Sequence, residues 1–396
     1  MIDDKELINP VKYFMILAGM WVFPRKKSSI PLNIFYYWYS LILQGIFVIF
    51  IVLLFGKLFQ LISIQSDVQV IWSVISIIEI SVGIFSKIII YQWNKVPNMF
   101  DTVIQKEKEI LLYEDDNIKN IHQQSIQICQ RISYGLFLNV FFAMVSIFIA
   151  GFINWPNENN AKSKSVKEQL ETSFVYPIWL PFFENDHKLF TALLNIIFAT
   201  IGIIFYSVSH MIFIVLLFFV ILQFKSITIK IGKLKENPIS TTEFRTELRN
   251  LIYSHISLLA FVEDLNGSIR YVVFMDFLLN SLNVASVAIQ LISLKISSDI
   301  IFLLAYLIAL VLQVFIFGWL ADEIKVQSLA IADSFYFSEW YDLDPNSKKL
   351  IHIVMIRAQK SSNILIGPFG PLTVETALKT MQAAYSYIVI MQRLSE

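Results

Sequence analysis

Apolar residues along this 396-residue chain come in runs of about twenty positions or more, separated by polar stretches. A run of that length matches the hydrocarbon thickness that a helix must cross. The pattern predicts seven crossing helices, at residues 34–55, 68–91, 132–153, 189–224, 271–294, 300–320 and 372–394. The predicted fold class is an all-α membrane protein with seven transmembrane helices.

Several polar connectors also carry helical periodicity. The fourth run continues past the apolar zone with Phe224, Ile227, Ile231 and Leu234 at helical spacing. Residues 241–270 lead into the fifth run in the same way. In the stretch 321–370, Asp344 is a good N-cap, Pro345 suits a first helical position, and Leu350, Ile353, Val354 and Arg357 share a face. The apolar core of that helix, 351–356, is too short to span, so these pieces are expected to pack together beside the membrane. Gly367, Pro368, Gly370 and Pro371 then enforce a break, with Pro371 expected to open the last helix. The apolar run at 11–23 is followed, not preceded, by Arg25, Lys26 and Lys27. It reads as an interfacial helix and not as a signal peptide.

Basic residues set the orientation. The N-terminal segment and the connectors 92–131, 225–252 and 321–370 hold 21 Lys and Arg, against six in 56–67, 154–188 and 295–299. By the positive-inside rule the first set is cytoplasmic. The N-terminus is then inside and the C-terminus outside. The expected organisation is a cytoplasmic or interfacial helix in 1–33 and transmembrane helices 1–4 in 34–224, with a large extracellular loop at 154–188. A cytoplasmic anchor follows in 225–270, then helices 5 and 6 in 271–320. A second anchor segment occupies 321–370, and a last spanning helix 371–396. Pro, Trp and Phe near the ends of the 154–188 loop are expected to sit at the interface.

Composition agrees with this class: 56% hydrophobic, 16% charged, net charge near zero. Nothing points to nucleic acid. The single cysteine, Cys129, excludes an internal disulfide framework and reads as a structural thiol. No HExxH, phosphate-binding loop or nucleophile-elbow pattern is present, and His122, His187, His210, His255 and His352 lack ligand spacing. No enzyme and no cofactor is expected. The Asn266-Gly-Ser sequon falls on the cytoplasmic side.

The last helix is the most informative. Taking 100° per residue, Glu375, Lys379, Gln382, Ser386 and Arg393 lie on one narrow stripe. The position missing from the stripe falls at Val389 or Ile390. Charged groups are costly in hydrocarbon, so the stripe must face protein or water. Facing water, it would line a conduit whose apolar interruption gates by dewetting, and several copies about an axis would enclose it. Facing protein, it would be buried in its own bundle, with Glu375 and Lys379 as a simple ion pair.

These residues resemble the insect odorant receptor family. The resemblance rests on the inverted seven-span layout and on ILAGMWVFPRKKS near the N-terminus. Its most specific part is the last 60 residues or so, a helix ending in IRAQK, the GPFGPL break, and LTVETALKTMQAAYSYIVIMQ. It implies a tetrameric odorant-gated cation channel in the plasma membrane of a sensory neuron, in which a variable odorant-binding subunit assembles with a common coreceptor. The short second cytoplasmic loop resembles the binding subunit. The resemblance puts the gate at Val389, a typical glutamine at Gln392, and Arg393 where the coreceptor is apolar, with Ser386 and Gln382 on the same pore face. Tyr385, Ser386, Gln392 and Arg393 depart from the pattern of the gustatory relatives, which remain an alternative. A transporter would need matched broken helices in two halves, and a G-protein-coupled receptor the opposite orientation.

The resemblance also implies an odorant pocket in the outer half of the bundle. Residue type and depth then nominate Trp72, Ile75, Ser76 and Glu79 on the second span, and Val145, Phe148 and Phe152 on the third. On the fourth they nominate Thr200, Ile201, Ile204, Phe205 and Val208, and on the sixth Leu303, Tyr306 and Leu307. Such a wall suits a volatile of about 10–15 heavy atoms with one or two acceptors, such as an ester, aldehyde or terpenoid. Glu79 is an intramembrane carboxylate with either a functional role or a structural partner, a hydroxyl or His210.

Overall fold

A computed structural model describes residues 6–21, 30–112, 116–154, 174–181, 187–236, 241–293 and 299–395. The basic cluster at 25–27 and the polar middle of the 154–188 connector lie outside the described residues. Among the described residues there are ten α-helices: α1 (Asn9–Leu17), α2 (Ile30–Ser63), α3 (Val68–Trp93), α4 (Val96–Leu112), α5 (Asp116–Asn154), α6 (Lys188–Glu236), α7 (Thr241–Ser293), α8 (Asp299–Tyr336), α9 (Pro345–Ala358) and α10 (Val374–Ser395). The protein is all-α. Six helices, α2, α3, α5, α6, α7 and α8, are long and apolar enough to cross a membrane. α10 has the length, at 22 residues, but not the apolar composition.

α6 is the central post. From Ser207 to Leu222 every side chain is buried, because α2, α3, α5, α7 and α8 pack around it. That explains why its sequence is apolar on all sides. α2 is the opposite case: Phe35, Trp38, Ile49 and Phe59 are exposed on an outer surface suited to lipid. α6 and α7 run without a break beyond their apolar zones, as the periodicity predicts.

Below the spans the helices do pack together. Asp344 caps α9 by accepting from the amides of Asn346 and Ser347, with Pro345 at the first position. The Asp344 carboxylate also takes a hydrogen bond from Arg245 of α7 at 3.0 Å. Asn266 of α7 donates its amide to the Asn363 carbonyl at 2.8 Å and accepts from the Leu365 amide at 2.9 Å. The sequon asparagine is thus built into the anchor.

α1 packs one face against the bundle and leaves Tyr13 and Leu17 exposed on the other. Leu7, Ile8, Val11 and Met15 are fully buried against the bundle, and the Leu7 amide donates to Glu107 at 2.6 Å. Pro371 does not open the last helix. It closes an isolated bridge with Leu365, in a turn where Gly367 and Gly370 have φ of +48° and +109°, a region glycine enters without strain. The helix starts at Val374, where Thr373 accepts from the Thr376 amide at 3.1 Å.

Candidate functional site

The helices around α6 line a chamber of about 510 Å³, within the range of small-molecule sites. Its walls come from Ser73, Ser76, Ile77 and Ile80 of α3, Ala143, Met144 and Ile147 of α5, and Phe198, Ala199, Gly202, Ile203 and Tyr206 of α6. Val287 and Gln290 of α7, Phe302, Leu303 and Tyr306 of α8, and Phe47, Phe50 and the buried Lys57 of α2 also line it. Most of this lining is apolar. The few polar groups are organised: Ser76 donates to the Ser73 carbonyl at 2.9 Å and lies 3.4 Å from the Gln290 amide nitrogen.

The segment 174–181 folds into the bundle and adds Val175, Tyr176 and Pro177 to the lining. Its backbone is tied down twice. The Tyr176 amide donates to Asn195 at 2.8 Å, and the Trp179 amide to the Leu53 carbonyl at 3.0 Å. A Cβ on Gly151 would stand 2.5 Å from the Phe174 carbonyl oxygen, so a glycine is needed where the segment crosses α5. Sequence pattern alone did not place Tyr176 and Pro177 in the chamber, which they line.

Beside the chamber lies a second, polar cavity of about 30 Å³, lined by Glu79, Lys87, Tyr206, His210, Asp276, Asn280, Asn283, Tyr306 and Gln313 among others. Lys87 pairs with Asp276 at 2.5 Å and donates to His210 Nε2 at 3.1 Å. An ammonium cannot accept, so Nε2 is the acceptor and the ring proton sits on Nδ1, which donates to the Tyr206 carbonyl at 2.7 Å. His210 therefore has its partners, and Glu79 is not among them. The Tyr206 hydroxyl donates to Gln313 at 2.9 Å.

The predicted lining positions divide clearly. Ser76, Leu303 and Tyr306 line the chamber, and Glu79 and Tyr306 line the polar cavity. Trp72, Ile75 and Val145 are half-buried and line neither. Phe148 and Phe152 pack edge-on against Phe174, with centroids 6.1 and 4.8 Å away. Thr200 is exposed, with its hydroxyl on the Ile196 carbonyl at 2.8 Å. Ile201, Ile204, Phe205 and Val208 belong to the main core, and Leu307 packs with the α8–α10 cluster. On α3 and α5 the lining face is rotated by one residue, about 100°, from the predicted one, and on α6 by two residues, nearly to the opposite face. On α6 an all-round apolar sequence gives periodicity nothing to choose between. The lining from α2 and α7 was not predicted, although Gln290, like Asn280 and Asn283 an amide in an apolar run, is a legible signal.

α10 lies against α7 and α8 through Ala377, Thr380 and Ala384. The polar stripe turns the other way: Glu375, Lys379, Gln382 and Ser386 are exposed, Val389 is half-exposed, and Ile390 is 54% exposed. Glu375 and Lys379 pair at 2.8 Å on that outer face. The stripe is not buried in its own bundle. The side chains of Gln392 and Arg393 lie outside the described residues. One buried cluster joins Val287, Leu303 and Leu310 to Ala384, with Tyr306 and Met381 at its margin, so chamber wall and last helix are in a single packed unit.

Helices of membrane-spanning length surround an apolar chamber large enough for a small molecule. Comparison with known proteins identifies what kind of protein this is. The family described as "7tm Odorant receptor" matches residues 67–385, and the chain belongs to that family, among receptors and not enzymes. Odorant receptor 10 of Aedes albopictus is 31% identical over 144 residues, 36% of this chain and 38% of that protein. Odorant receptor 30a of Drosophila melanogaster is 22% identical over 284 residues, 72% of each chain. The chain thus spans less than two thirds of the length of the Aedes relative. The structure of olfactory receptor OR5 from Machilis hrabei in complex with eugenol superposes with a TM-score of 0.82 at 17% identity, covering 98% of this chain and 97% of that one.

Proposed function

We propose that this chain is the odorant-binding subunit of a ligand-gated, non-selective cation channel, assembled with a common coreceptor subunit in the plasma membrane of a sensory neuron. The observation that carries this reading is the pairing, in one chain, of an apolar chamber between the helices with a helix whose polar stripe faces away from its own bundle. Such a stripe needs water or other subunits. Copies of α10 around an axis supply both, and cations then pass along Gln382, Ser386 and the outer residues Gln392 and Arg393. α10 is the seventh crossing. The surplus of basic residues on one set of connectors keeps the N-terminus cytoplasmic.

A largely hydrocarbon volatile fits the chamber, and micromolar binding needs only about −8 kcal/mol. The ligand touches Val287, Leu303 and Tyr306, which pack in the unit that holds Ala384. A ligand that fits better when this unit is displaced shifts the balance toward an open pore by its differential affinity alone. Val389 retracts from the axis in that state.

The test is whole-cell current under a panel of volatiles, with the chain expressed alone and with an odorant coreceptor. Ligand-evoked cation current in the pair and not in the single chain is the expected result. Absence of current from both, with the protein at the cell surface, would reject the proposal.

A further inference from the structure

The polar cavity beside the chamber is not used by the argument so far. Tyr206, Tyr306, Ile80 and Ile84 line both spaces, so the two share a wall. At about 30 Å³ the cavity holds roughly one water-sized group. The Tyr306 hydroxyl can donate as well as accept and is unpaired, whereas the donors of Lys87, His210 and Tyr206 are committed: to Asp276 and His210, to the Tyr206 carbonyl, and to Gln313. Glu79 Oε2, Asn283 Oδ1 and the Tyr306 hydroxyl are buried without a hydrogen-bond partner. Asn283 itself is only 2% exposed. Buried polar groups left without a partner are costly, so the site favours a guest that donates to Glu79 or Asn283 and also accepts from Tyr306.

We infer that this cavity is a hydroxyl subsite of the odorant chamber, in which an alcohol or phenol donates its O–H to Glu79 while its oxygen faces Tyr306 and its hydrocarbon fills the chamber. This rests on the odorant-binding reading of the chamber. It narrows the expected volatile with one or two acceptors, such as an ester, aldehyde or terpenoid, to one that also carries a hydrogen-bond donor. Glu79 is a specificity-determining residue, because a site built around an acceptor discriminates strongly against an analogue that lacks the donor.

The test uses matched pairs, 1-octanol with its methyl ether and eugenol with its O-methyl ether, applied to the full chain co-expressed with an odorant coreceptor. The wild-type chain should respond to the hydroxyl member at a concentration about tenfold lower or more. Glu79→Leu should bring each pair to within about threefold by weakening the hydroxyl member, and Glu79→Gln, which keeps a carbonyl acceptor, should fall between. Asn283→Ala reads the same ratio if Glu79→Leu fails to reach the surface. Ethers that match or outrank their alcohols in the wild type, or ratios unchanged in surface-expressed Glu79→Leu and Asn283→Ala, would overturn the subsite. Ala199→Phe, which fills the main chamber, separates the two readings. If it abolishes both members of a pair while the Glu79 variants keep the wild-type ratio, the chamber stands and the subsite falls. If it leaves both responses intact, the chamber itself is misassigned.

Discussion

The carboxylate of Asp322, in the middle of α8, accepts the backbone amide of Val374, the first residue of α10, at 2.8 Å. One of the orphan donors at the start of the last helix is thereby satisfied by the helix that also carries Leu303 and Tyr306. A negative charge is favourable at that end of a helix. Removing it in Asp322→Ala should cost about 1–2 kcal/mol locally. Hydrogen exchange at residues 374–377 should accelerate several-fold, and Asp322→Asn should recover part of the protection. Unchanged exchange in the alanine variant would show that Thr373 caps the helix unaided.

The proposed gate makes a positional prediction on the same helix. Val389 is half-exposed on the polar stripe, whereas Ile390 stands further out at 54% exposure. If dewetting at Val389 closes the pore, Val389→Ala should raise ligand-independent current several-fold, and Ile390→Ala should do so less. The reverse order, read as basal current normalised to surface protein, would move the constriction by one residue.

The lining of α6 can be tested by adjacent substitutions. Ala199 lines the chamber and Thr200 is exposed. Ala199→Phe should raise the effective odorant concentration at least tenfold, while Thr200→Phe should leave it within about twofold, since a side chain outside the cavity cannot compete for its volume. Equal effects would mean that the bound helix is rotated from the orientation described.

Lys87 and Asp276 form an ion pair with side chains only 6% and 15% exposed. Breaking one side of a buried pair leaves an uncompensated charge and typically costs about 3–5 kcal/mol. Lys87→Met should therefore lower thermal stability in detergent markedly. The double variant Lys87→Met, Asp276→Leu should regain most of it, because both charges are then gone. A double variant no better than the single one would reject the pair as the source of the loss.

The anchor should be acid-sensitive at one joint. Hydrogen bonds from Ser347, with the Arg245 guanidinium nearby, hold the Asp344 carboxyl down at about 2. A group depressed in the folded state stabilises it above its ordinary value near 3.8 and loses that contribution as pH falls through the folded value. The α7–α9 joint should thus be unchanged at pH 5 and loosen between about pH 4 and pH 2. Pepsin cleavage around 340–348 should rise across that window in the wild type and be high throughout it in Asp344→Ala.

What the sequence by itself determined is what local rules control. Apolar runs of spanning length define an all-α membrane class, since backbone groups in lipid must bond within their own segment. Asp344 and Pro345 mark the start of α9 because capping is a contact between near neighbours. The stripe from Glu375 to Ser386 is visible because α10 is polar on one face only.

Tertiary structure decided what depends on neighbours. Which face of α6 meets the chamber is unreadable in a helix buried on every side. Lys87 and Asp276 are partnered across helices that the chain separates widely, and no local pattern pairs them. The folding-in of Tyr176 and Pro177 depends on tethers to Asn195 and Leu53, and on a glycine at position 151. The outward direction of the α10 stripe was left open by its own periodicity. It follows from Ala377, Thr380 and Ala384, whose small side chains let the opposite face seat against α7 and α8 and so turn the charges away.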